Sequence, residues 1–175
     1  MTTSRLLSVF LALPASFPFT AAAQDIPVQA ARGQVLFFET AKPMACGTCH
    51  SLATKGTEIG PDLSRWAKIN PRAVAMVVKS TITENVIVVK AGKDPEFPSM
   101  KGKEDGDKII LYNLGKNPPT LVTLEKAGFT TRVNASWKHP PAEAKMSAQD
   151  LADVIAYIRW VGNKDTKVVK PEDVE

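Results

Sequence analysis

Apolar residues recur at helical spacing in three stretches of this 175-residue chain. In residues 27–40, Val28, Ala31, Val35 and Phe38 share one face, with Gly33 and Phe37 on a neighbouring one, and Pro27 suits a first helical turn. Asn70 and Pro71 read as an N-cap and first helical residue, opening a helix to about residue 80. The apolar pattern of Ala73, Val74 and Val77 takes in Met76 as a core residue. Ser147 and Asp150 have the spacing of a helix start. They launch a stripe of Leu151, Val154, Ile155, Ile158 and Val161, which Gly162 and Asn163 stop. Residues 163–175 are charged, contain a proline, and read as a loose, flexible tail.

Between the second and third helices the pattern changes. Residues 86–90, 108–112, 120–124 and 129–133 are short β-branched or aromatic runs. Asp94-Pro95, the acidic Gly-containing stretch 104–107 and Asn117-Pro118-Pro119 separate them as turn signals. These runs predict a small antiparallel sheet or open barrel, occupying an insertion at about 83–134. The charges at 103–108 read as a solvated turn.

Chemistry is concentrated at Cys46-Gly47-Thr48-Cys49-His50. A Cys-x-x-Cys-His run lets two thiols bond covalently to the vinyl groups of a haem while the adjacent histidine ligates its iron. The rival readings are zinc, a thioredoxin-like pair and a plain disulfide. A zinc site needs two more soft ligands, and His139 alone remains among the cysteines and histidines. A thioredoxin-like pair sits between a strand and a helix, whereas here a helical pattern and Pro43 come first. The N-terminus agrees with haem attachment. Arg5, the apolar stretch 6–19 broken by Pro14 and Pro18, and Ala21-Ala22-Ala23 form a signal peptide over 1–23, expected to be cut before Gln24. Its apolar run is too short to span a bilayer. The processed chain is therefore expected to be exported and soluble, in a bacterial periplasm, the side on which thioether haem is assembled. A net charge of +4 is too small for a nucleic-acid footprint.

Residues 24–82 and 134–162 resemble a class I c-type cytochrome. Gly33 and Phe37 match the close-packing glycine and aromatic of that family's first helix, and Ala156-Tyr157 the small–aromatic pair of its last. Gly60-Pro61-Asp62-Leu63 is similar to the loop below the haem. The resemblance implies a mainly α fold: the class I cytochrome c helical arrangement, with a haem-attachment helix, around one covalent haem c over 24–162, carrying a small antiparallel β insertion. It makes His50 the proximal iron ligand, with the Pro61 carbonyl accepting from its Nδ1. The family's sixth ligand is usually a methionine followed by proline, and His139-Pro140 falls at that place. His139 is therefore favoured as distal ligand, with Met146 and Met100 as alternatives. Two axial ligands leave no position for substrate, so the expectation is electron transfer between redox partner proteins rather than catalysis. The other readings are a haem-based gas sensor, which needs a displaceable distal ligand, and an interaction module built on the β insertion.

Overall fold

Gly33 sets how the helices meet. In the computed structural model, which describes residues 25–39, 45–80, 85–133, 137–140 and 146–175, helix α1 (Val28–Phe38) crosses helix α3 (Ala148–Asn163). A Cβ on Gly33 would stand 1.9 Å from the Asp153 carbonyl oxygen and 2.9 Å from Tyr157 Cβ, so only glycine lets the two backbones touch there. Ala30, Phe37, Val154, Tyr157 and Ile158 pack around the crossing. The Phe37 and Tyr157 rings meet edge to face at 5.9 Å.

Helix α2 (Pro71–Lys79) begins where Asn70 Oδ1 accepts the Arg72 N–H at 2.9 Å, with Pro71 in the first turn. It buries Val74 and Ala75 with Leu151 and Ile155 of α3. Met76, expected in the core, is 67% exposed: the inward stripe of this short helix is only as wide as Val74 and Ala75 make it. Ser147 Oγ accepts the Asp150 N–H at 3.0 Å and caps α3, and Lys164, in the left-handed conformation, ends it.

The expectation of a loose tail is corrected by its packing. Val169 and Val174 are buried in the same cluster as α2 and α3, the second of them in a 3-10 turn (Pro171–Val174). Gln29 of α1 donates to the Val169 carbonyl at 2.7 Å and accepts its N–H at 3.0 Å, and Lys79 Nζ donates to the Val174 carbonyl at 2.7 Å. Two valines among charged residues carry no periodicity, which is why the sequence hides this contact.

The mainly α class is also overturned. Strands make up 26% of the described residues, and the fold is α+β, with three α-helices among them. The strands β3 (Ile87–Ala91), β4 (Phe97–Asp105), β5 (Lys108–Asn113), β6 (Thr120–Glu125) and β7 (Phe129–Val133) form one antiparallel sheet in the order β6-β5-β4-β3-β7. The four apolar runs account for all of these except β4. Pro98, Gly102 and the charges of 101–105 disguise that strand as a turn. Its charged half is held by pairing with β5 and by Glu104, which accepts from both Lys101 and Lys126. Where the resemblance implies a haem-attachment helix, a single 3-10 turn (Cys46–Thr48) is formed.

The sheet cannot be flat. Five strands at about 4.8 Å spacing would hold β6 and β7 roughly 19 Å apart. Residues 126–128 alone join them, in a turn closed by a 2.8 Å bond from the Gly128 N–H to the Glu125 carbonyl. The edges must therefore curl towards each other at that end. Val89, Ile109 and Leu111, with Phe97, Leu124 and Phe129, fill the lobe this creates.

Candidate functional site at two facing imidazoles

The 3-10 turn places both cysteines and His50 on one loop: the N–H groups of Cys49 and His50 both bond to the Cys46 carbonyl, at 3.1 and 2.8 Å. The chain then makes a two-residue reversal between β1 (Ser51–Leu52) and β2 (Lys55–Gly56), with Ala53 at φ 45° and Thr54 at φ 74°. A β-branched residue rarely adopts this conformation, so the reversal holds strain directly after His50. The chain folds back, and the Cys49 carbonyl accepts the N–H groups of Ile59 and Gly60 at 3.1 and 2.7 Å.

This return stroke fixes the His50 ring. Its Nδ1 lies 2.8 Å from the Pro61 carbonyl oxygen. A carbonyl only accepts, so Nδ1 carries the proton and Nε2 keeps the lone pair. Gly60 presses on the same ring: a Cβ there would stand 2.5 Å from Cε1. Asp62 secures the loop by accepting from Ser64 Oγ, from the Ser64 N–H at 2.7 Å and from Ser51 Oγ at 3.0 Å. The Ser64 hydroxyl above all, with the other donors, holds the Asp62 carboxyl below the usual range, against a smaller opposing effect of burial.

His139 faces His50. Their ring centres are 6.1 Å apart and their planes stand at 85°. His139 Nδ1 lies 3.2 Å from the carbonyl of Val78 near the end of α2, so it too carries its proton on Nδ1 and keeps the lone pair on Nε2. Burial lowers the pKa of both rings, against the raising effect of their carbonyl partners, and so favours the neutral form of each.

Cys46 and Cys49 are free thiols. Burial pushes Cys46 up to about 11 and raises Cys49 as well. A thioredoxin-like nucleophile needs the opposite shift. Among the described residues, no group of three or more His, Cys, Asp or Glu side chains is placed to hold a metal ion.

The structure thus brings Cys46, Cys49, His50, Pro61 and His139 together. Met146 packs against the cluster around the α1–α3 crossing, and Met100 lies on β4 opposite Tyr112. Sequence reasoning missed two participants. Asp62 stands two residues before Ser64, the spacing of a cap, whereas in the sequence it figures only as a member of the 60–63 loop. The Val78 carbonyl is a backbone atom and leaves no trace in composition. The leader at 1–23 and its cleavage point lie outside the described residues. Among those residues, no helix is long and apolar enough to cross a membrane. No family model matches this chain, and no curated protein matches it.

Proposed function

We propose that this chain is an exported, single-haem c-type cytochrome that carries electrons, its haem held covalently by Cys46 and Cys49 and ligated by His50 and His139. The observation that carries this reading is the pair of facing imidazoles with ring centres 6.1 Å apart, each tied at Nδ1 to a backbone carbonyl. At the usual metal–imidazole distance of about 2.0–2.1 Å, one metal atom between two such nitrogens calls for ring centres roughly 6 Å apart. The thiols stand on the same loop as His50, in the spacing that haem attachment uses. The likeness to class I c-type cytochromes rests on the α1–α3 crossing and the Pro61 loop; the sheet lies outside it.

When bound, the haem supplies a one-electron couple. The protein's own residues prepare the site for it. Pro61 and Val78 hold each ring in the tautomer that leaves Nε2 available, and Asp62 holds Pro61 in place. Burial favours the unprotonated form of both rings. With His50 and His139 as its two protein ligands, a bound haem would have nitrogen donors only, which favours a low-potential carrier over an enzyme. His139 is preferred to Met146, which serves the apolar cluster, and to Met100, which belongs to the sheet. The partners are a donor and an acceptor protein on the exported side.

Protein made with the haem-attachment machinery should stay coloured through acid-acetone extraction. Its ferric form should lack the weak near-infrared band of sulfur-ligated iron. His139→Ala should open the iron to carbon monoxide, while Met146→Ala and Met100→Ala leave the spectrum unchanged. Extractable haem would overturn the reading. A sulfur band that disappears in either methionine variant would reassign the distal ligand.

A further inference from the structure

Residues of α1, of α3 and of the β1–β2 reversal line a cleft of about 280 Å³. Ile26, Leu52, Tyr157 and Trp160 give it an apolar wall, Lys55 and Lys164 give it two positive charges, and no carboxylate lines it. The Tyr157 and Trp160 rings are stacked, with centres 6.5 Å apart and planes at 20°. Lys164 Nζ stands 4.3 Å from the centre of the Trp160 ring. Both lysines are exposed, and neither forms an ion pair among the described residues. Two unneutralised cations beside an aromatic wall suit an anion with a flat apolar body.

Backbone strain gathers at the same place. Three non-glycine residues among those described have positive φ: Ala53 (45°) and Lys164 (53°) line the cleft, and Thr54 (74°) follows Ala53. Lys164 is the left-handed residue that ends α3, where glycine or asparagine is favoured. Lysine there costs backbone energy, yet sets an ammonium against the indole. Strain of this kind concentrates where ligands are clamped. The wall also holds an unpaired donor. Trp160 Nε1–H is buried without an acceptor, the one such side-chain group among the described residues. A buried N–H left unpaired is destabilising, and an acceptor held beside the indole would offset that.

We infer that this cleft binds a small aromatic carboxylate, its ring against the Tyr157–Trp160 wall and its charge met by Lys55 and Lys164. The volume lies at the lower end of small-molecule sites, about 300–1,000 Å³. It therefore admits one or two fused rings and is too small for a nucleotide. None of the side chains assigned to the haem takes part, so the inference stands or falls apart from that reading.

Isothermal titration calorimetry of the purified full chain with 2-naphthoate should give one saturable site with a dissociation constant of about 1 mM or tighter. Naphthalene-2-methanol keeps the rings without the charge, and acetate the charge without the rings. Each should bind at least about fivefold more weakly. Lys55→Gln and Lys164→Gln should each weaken naphthoate about threefold, and the double variant about tenfold. Circular dichroism checks that these surface variants fold. In nuclear magnetic resonance spectra, the Trp160 indole N–H signal is identified by its loss in Trp160→Phe. Naphthoate should shift it more than the signals of Trp66 and Trp137. No saturable heat up to about 10 mM naphthoate overturns the inference. Equal affinity for naphthoate and its alcohol also overturns it, as does full affinity in the double lysine variant. A larger shift at Trp66 or Trp137 would place the ligand elsewhere and overturn it as well.

Discussion

Asp62 reaches His50 without touching it. Its carboxylate ties Ser51, the residue after His50, to Ser64 beyond the Pro61 carbonyl that His50 bonds. Asp62→Ala removes a cap and should cost about 1–2 kcal/mol in urea unfolding. Asp62→Asn, which keeps an accepting oxygen, should recover part of that. A matching loss in both variants would mean the charge, not the hydrogen bonding, is what counts. Asp153 makes the same kind of argument for pH. Its side chain is almost fully buried, which alone would raise its pKa; bonds from Arg32, Gln29 and Gln149 outweigh that and lower it. The folded carboxyl therefore titrates below the unfolded value of about 3.9. Its stabilising contribution is complete above that pH and is lost as pH falls through the folded value. Asp153→Asn should be less stable than wild type at pH 7 and should lose less on acidification below about pH 4. Melting temperatures at a series of pH values test both halves. At this scale the sequence identified groups with distinctive chemistry, namely the thiols and both histidines. The Pro61 carbonyl that orients His50 came only through the family resemblance, and the Val78 carbonyl that orients His139 was missed, because a carbonyl is something every residue possesses.

Elements were legible where their signals are local. Asn70, Pro71 and Ser147 are decided within a turn of chain, and the starts of α2 and α3 follow; Gly162 and Asn163, read as the stop of α3, are its last residues, and Lys164 is the left-handed one. Strand β4 was not, because its place is decided by neighbours on either side rather than by its own alternation. The reversal between β1 and β2 is similar: Ala53 and Thr54 occupy positions where asparagine and glycine are the favoured pair. Thr54→Gly should relieve the strain and stabilise the protein by roughly 1 kcal/mol, provided the extra freedom of the unfolded chain does not cancel the gain. Calorimetry showing a lower melting temperature would mean the Thr54 side chain is needed for reasons other than backbone geometry. The α1–α3 crossing allows no such freedom. At 1.9 Å from a backbone oxygen, even the methyl of Gly33→Ala must separate the helices. We expect a loss of at least about 2 kcal/mol, with Gly33→Leu worse. Equal unfolding midpoints for Gly33→Ala and wild type would rule out this crossing.

For the molecule as a whole, the tail makes contacts with all three helices. Gln29 clasps Val169 from α1, Lys79 at the end of α2 holds the Val174 carbonyl, and both valines sit among Leu151, Ala152 and Ile155 of α3. A chain ended after residue 164 exposes the apolar surface those valines cover and leaves the Gln29 amide without its backbone partner. Burial of a valine contributes about 1.5–3 kcal/mol, so the two together approach the lower end of the 5–15 kcal/mol by which an ordinary domain is stable. The truncated protein should therefore be largely unfolded or melt far below the full chain. Val174→Ala is the milder version, expected to cost about 2 kcal/mol while leaving the backbone clasp intact. The sheet supplies the internal control, since its core of Val89, Ile109 and Leu111 is a separate cluster. Hydrogen exchange should show the amides of α1 and α3 losing protection in Val174→Ala while those of β5 keep theirs. Uniform loss across both would mean that helices and sheet unfold as one cooperative unit, and that the tail stabilises all of it.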